Sequence, residues 1–221
     1  MSASVDAQVV PLGGRRVPEG MDDHADWQNL PLAPQPAQPQ DFGAVYSAVM
    51  KFRSELGEIK KLLTAVAPAV KGLIYATDAG NNEEASAYRV QMEEQLQSVN
   101  ARSETVCSAL PAESVAAADE SHAEGWLSEE TKEKVANATV RAAQLLEEVV
   151  KESTELCTKC LEGPSASAKD RFGDFSLKLN SHTRKLFSEQ GKLMDVMKAI
   201  RKEKEQERSR TEAGQEDHAP N

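Results

Sequence analysis

From residue 42 onward, apolar side chains recur at intervals of three and four without a break. Phe42, Val45, Val49, Phe52, Leu56, Ile59, Leu63, Val66, Val70 and Leu73 hold one register through that stretch. With 39% of the chain hydrophobic, ten hits in a preset register arise by chance about once in ten thousand. The spacing predicts a heptad helix from Asp41, a natural N-cap, to Ala76. Pro68 falls at an outer heptad position and is expected to bend that helix or end it near Ala67.

After the turn signal TDAGNNEE, a second and less regular stripe follows: Tyr88, Met92, Leu96, Val99, Val106 and Leu110. Ser103 stands where an apolar residue is expected, and Pro111 reads as a stop. Residues 111–126, rich in Ala, Ser and acids, read as a mobile linker. A third helix opens at Ser128, an N-cap followed by Glu129 and Glu130 at the positive end of the helix dipole. Its stripe is Val135, Ala138, Ala142, Leu145, Val149, Leu156 and Cys160, and Gly163–Pro164 ends it. The fourth helix starts near Ser167, where SAKD resembles a capping box, and runs to about Arg208.

That fourth helix is mostly charged, yet Phe172, Leu179, Leu186, Leu193 and Ile200 fall seven residues apart. If these occupy heptad position d, position a holds Ser176, Thr183, Gln190 and Met197. Apolar d with polar a makes a weak seam that specifies which helix pairs with which, and in what alignment. The expected partner-binding seam is therefore Phe42, Val45, Val49, Phe52, Leu56, Ile59, Leu63 and Val66 on the first helix. On the fourth it is Phe172, Leu179, Leu186, Gln190, Leu193, Met197 and Ile200. Periodicity alone leaves open whether these stripes meet sister helices or another chain.

No alternation of period two occurs, so the expected fold class is all-α. It is an elongated helical bundle or coiled coil of about four helices. The expected organisation is a disordered Pro/Gln-rich N-terminal arm (1–40), a helical hairpin (41–110), a linker (111–126), a second long hairpin (127–208) and a disordered tail (209–221). The arm holds most of the ten prolines and too little apolar surface to offset its ordering entropy. Within it, Trp27 and Leu30 among acidic residues form a candidate linear docking motif, with chance placement of an aromatic as the alternative.

Charge narrows the partners. A net charge of −10 disfavours nucleic acid, which demands a basic face, and disfavours general attraction to anionic membranes. Protein partners through helix–helix seams, self-association among them, are expected, with peripheral membrane association at most. No stretch is long and apolar enough for a transmembrane helix or signal peptide. Three cysteines fit a reducing compartment, so the expected location is cytoplasmic.

Candidate chemistry adds little. Cys157 and Cys160 form CTKC, but zinc needs four ligands, and redox use of this motif needs a βαβ setting. On a helix the two thiols share a face and read as small seam residues. His24, His122, His182 and His218 are scattered, and no phosphate-loop, nucleophile-elbow or zinc-protease motif occurs. The basic-acidic segment KAIRKEKEQERSR reads as a solvated helix end. No catalytic residues, cofactor or metal are expected.

Residues 128–207, with SEETKEKV and LNSHTRKLF followed by a Lys/Glu/Arg-rich helix end, resemble the last two helices of the N-terminal regulatory three-helix domain of syntaxins. The matching positions are Thr131 to Glu133 and Arg184 to Phe187, with Leu186 as an extra residue. The helix from Glu83 to Leu110 has no counterpart there, and the fusion-driving helix and membrane anchor of syntaxins are not seen. The resemblance implies a bundle that docks trafficking or fusion proteins. The pattern itself points to a coiled-coil scaffold or adaptor subunit of a cytoskeletal, motor, tethering or kinetochore type of complex.

Overall fold

In the computed structural model, which describes residues 42–161 and 166–216, the chain is all-α. Four helices follow one another: α1 (Gly43–Asp78), α2 (Asn82–Ala123), α3 (Glu129–Lys159) and α4 (Ala168–Glu216). Each packs antiparallel to its sequence neighbour, and α4 returns to pair with α1, closing an up-and-down bundle. Arg102–Glu55, Lys132–Asp119, Lys185–Glu148 and Arg171–Asp78 tie the four pairs at their surfaces. Additional contacts between α1 and α3 cross the centre, making α1 the helix most enclosed by its sisters.

Short capped turns enforce this topology. α1 ends with Gly80 at a φ of 71°, a left-handed conformation natural to glycine. There Asn81 N–H reaches Ala76 O and Gly80 N–H reaches Thr77 O. Asn81 then caps α2 by accepting from Glu84 N–H at 3.2 Å. Ser128 caps α3 by accepting from Thr131 N–H at 3.2 Å, and Ser167 caps α4 by accepting from Asp170 N–H at 3.2 Å. Trp126 and Leu127 are buried at the α2–α3 corner, with Lys204 stacked 4.4 Å over the Trp126 ring.

The core is two stacked apolar clusters, each fed by all four helices. Between them, α3 contributes Ser153 and α4 contributes His182 and Thr183. The hairpins expected at 41–110 and 127–208 are therefore not separate bodies, because all four helices share one interior.

Neither proline ends its helix, which corrects the stop expected at Pro111 and removes the ending near Ala67 from the two outcomes expected at Pro68. α1 continues through Pro68 to Asp78, and α2 continues through Pro111 to Ala123, so most of the expected linker 111–126 is helix. An interior proline costs about 3 kcal/mol, while each fully buried aliphatic side chain returns about 1.5–3 kcal/mol. Beyond Pro68, Val70, Leu73 and Ile74 are fully buried. Beyond Pro111, Ser114, Ala118 and Ser121 are buried, and the two serine hydroxyls donate to Leu110 O and Ala117 O at 2.8 Å.

The tail boundary also shifts. α4 extends to Glu216 rather than about 208, and Ser209 and Thr211 hydroxyls donate to Glu205 O and Glu207 O within that extension. At 49 residues, α4 spans about 73 Å and runs past the start of α1, where Arg201 stacks over Phe42. The expected arm 1–40, the Asp41 cap, Trp27, Leu30, the Gly163–Pro164 stop and residues 217–221 lie outside the described residues. α1 itself begins after Phe42 with no side-chain cap.

Candidate functional site

The residues expected to form a partner-binding seam are brought together, but inside the bundle. Val45, Val49, Phe52, Leu56, Ile59, Leu63 and Val66 of α1 are at most 1% exposed. Leu179, Leu186, Leu193, Met197 and Ile200 of α4 are buried opposite them, and Phe42 and Phe172 are half-buried at the two ends. In this closed state those side chains are covered by sister helices and offer nothing to another protein.

The heptad assignment of α4 also changes. Ser176, placed at a, is exposed, and its neighbour Phe175 is 1% exposed instead. The buried face is three positions wide: the d row, part of the a row, and a further row at Phe175, His182, Glu189, Val196 and Glu203. Such width is what a helix needs to face two neighbours rather than one. The a-row Gln190 turns to α1 and donates from Nε2 to Arg53 O at 3.0 Å. It lies so close to Gly57 that a Cβ there would stand 2.8 Å from Nε2. This contact ties α4 to α1 in one alignment.

The added row turns to α3 and is largely polar. His182 Nδ1 lies 3.0 Å from Ser153 Oγ and its Nε2 lies 3.3 Å from Glu152. Burial pulls the His182 pKa below its ordinary value; Glu152 and Glu148 oppose that pull and Lys185 adds to it. Glu189 is 4% exposed and sits between Lys192 and Arg141. Glu203 accepts from Ser128 N–H, Ser128 Oγ–H and Thr131 Oγ1–H, each at 2.7 Å. Burial alone would raise the Glu203 pKa, but these donors at the start of α3 hold it lower than usual. Sequence reasoning missed Glu189, Glu203, Ser153 and Thr131. The available signal was a second sevenfold spacing at 175, 182, 189, 196 and 203, masked by its mixed polarity.

Cys157 is buried, and Cys107 and Cys160 are half-buried, all as free thiols. Burial pushes Cys157 up to about 12 and Cys107 and Cys160 up to about 11. Thiols so shifted stay protonated and unreactive at neutral pH.

Six large apolar residues are exposed among the described residues, and four of them, Met50, Tyr75, Leu177 and Phe187, lie on α1 and α4. Between these helices runs a groove of about 430 Å³ lined by Gly57, Lys60, Lys61, Thr64, Phe187 and Gln190. Phe187 is 64% exposed on its rim, with the Lys60 ammonium 4.8 Å from its ring centroid. A second groove of about 380 Å³, between α1 and α2, has its charges already matched. There Lys51 pairs with Glu113 and Arg102 with Glu55.

Charge is divided between the two sides of the bundle. α1 carries five Lys/Arg against three Asp/Glu and α4 twelve against nine, a surplus of five positive charges on that pair. α2 carries two against eight and α3 five against seven, a surplus of eight negative charges. Among the described residues no helix is long and apolar enough to cross a membrane.

These features define a closed antiparallel four-helix bundle with one basic and one acidic face. Comparisons with protein-family models, with curated proteins and with solved structures find no match for this chain.

Proposed function

We propose that this chain is a non-enzymatic helical protein-interaction module, serving as a scaffold or adaptor subunit of a larger intracellular complex. The supporting observation is the segregation of charge on a closed bundle, with most large exposed apolar side chains on the basic α1–α4 side. Opposite potentials on two faces steer encounter and fix orientation with partner surfaces. A complex of cytoskeletal, motor, tethering or kinetochore type suits so elongated a bundle. Affinity purification of the full chain from its native cell, with size-exclusion chromatography and light scattering of the extract, tests this. The expected result is elution far above 24.1 kDa with stoichiometric protein companions. A monomer in the extract with no stoichiometric companion would refute it.

A second reading is a syntaxin-like regulatory bundle that binds trafficking or fusion proteins. It is supported by the enclosure of the α1 and α4 stripes, since a regulatory bundle acts through an outer groove while its core stays shut. The identity of the companions decides between the two.

A further inference from the structure

We infer that the α1–α4 groove around Phe187 is the docking site for an acidic amphipathic helix of a partner protein. This rests on the interaction-module reading above and names the surface and the partner chemistry.

A bare phenylalanine is costly to leave in water, and burying an aromatic ring dominates the energy of many interfaces. Phe187 does not fold back into the core, because its neighbour Leu186 takes the inward position. Beside it the groove floor is built from side chains with little bulk. Gly57 and Thr64 lie seven residues apart on one stripe of α1, and Met50, 48% exposed, extends that stripe by two turns. On α4, Gly191 stands one turn beyond Phe187, and a Cβ added there would meet open space. A shallow channel between two parallel ridges, with an aromatic rim and small residues along its length, fits a helix laid lengthwise.

The charge around the groove selects the sign of that helix. Lys60 and Lys71 face the rings of Phe187 and Phe172, and neither makes an ion pair among the described residues. Arg184, one turn before Phe187, is exposed. Among the described residues Lys61 pairs only with Glu58 of its own helix, an exposed contact of small worth that a partner carboxylate can replace. With the surplus of five positive charges on α1 and α4, apolar residues flanked by Asp or Glu match this surface. The same chemistry argues against the acidic α2–α3 side as the site. A lipid surface fits less well, because the aromatic sits in a channel rather than on a flat face.

The test uses the full chain and a fluorescein-labelled 21-residue probe peptide, with leucines at helical spacing and glutamates elsewhere. A lysine-for-glutamate version serves as control, and phosphatidylserine vesicles are run by co-sedimentation. Fluorescence polarisation is expected to show binding to the acidic probe that weakens with salt, and none to the basic one. Phe187→Ser should weaken binding at least about tenfold without changing the melting temperature, whereas Val140→Ser, an equally simple surface change on α3, should leave it unchanged. Lys60→Glu should lose the acidic probe and gain the lysine version, a swap that a merely structural role would not produce. No binding of the acidic probe, equal loss in Phe187→Ser and Val140→Ser, or vesicle binding in place of peptide binding would overturn the inference. Native companions that cross-link only to α2 or α3 would sink this groove while leaving the interaction module standing; the absence of companions would sink the module itself.

Discussion

Glu203 ties the C-terminal half of α4 to the first turn of α3, and its removal is a direct test of how that end of the bundle closes. Its carboxylate takes three donors from the first turn of α3, each at 2.7 Å, at the positive end of that helix. A hydrogen bond to a charged acceptor contributes about 1.5–3 kcal/mol, and a favourable helix-end charge about 0.3–1 kcal/mol. The sum overstates the loss, because Ser128 is exposed and its freed groups return to water. Glu203→Ala is therefore expected to cost about 2 kcal/mol, lowering the melting temperature by about 4–8 °C for a chain of this size. Urea titration followed by circular dichroism should show a lower midpoint with an unchanged slope. Glu205→Ala, which removes only an exposed pair with Arg201, should shift stability by less than about 0.5 kcal/mol. Because the folded-state pKa of Glu203 lies below its ordinary 4.5, its contribution is full above that pH and is lost as pH falls through the folded value. The gap between wild type and Glu203→Gln should thus close in acid. A Glu203→Ala variant within about 0.5 kcal/mol of wild type, or a gap unchanged at about pH 3, would refute the reasoning.

Two glycines on α1 should respond differently to alanine. At Gly57 the new Cβ meets only the movable Gln190 amide, so the lost hydrogen bond and the gain in helix propensity of about 1 kcal/mol nearly cancel. At Gly72 it would stand 2.5 Å from the Tyr88 ring, and calorimetry should show a net loss of about 1–3 kcal/mol. Adjacent residues on α4 should differ as sharply: Leu186→Ala, from a fully buried site, should cost about 2–5 kcal/mol in urea denaturation. Phe187→Ser should stay within about 0.5 kcal/mol; equal costs would contradict the placement of both. For His182, burial favours the neutral ring, so its stabilising share is present above the ordinary pKa of 6.5 and is lost as pH falls through the lower folded value. The groups facing it are Ser153, Glu152, Glu148 and Lys185. Its imidazole should titrate below 6.5 by NMR, and a value above 6.5 would mean that Glu152 outweighs burial.

The all-α class and the turns at 79–81 and 124–128 follow from local physics. Threefold and fourfold spacing can hide apolar side chains only on a helix, and Asn81, Ser128 and Ser167 mark starts because their side chains satisfy backbone N–H groups wherever the helices go. Nearly every residue of the α1 and α4 stripes was identifiable as buried for the same reason. What covers those stripes depended on tertiary structure: a heptad row states that a helix wants a neighbour, not which chain supplies it. Ser103 interrupts the apolar stripe of α2, Ser114 and Ser121 fall in the expected linker, and Thr139 and Ser153 lie outside the apolar stripe read for α3, yet all five are buried. Their hydroxyls find partners in helix carbonyls or, for Ser153, in His182, which lets helices approach closely. The persistence of α2 past Pro111 has the same origin, since packing against α1 and α3 outweighs one missing hydrogen bond. The division into basic and acidic faces is written in the composition of each helix. It becomes a property of a surface only because α1 folds back beside α4 and α2 beside α3.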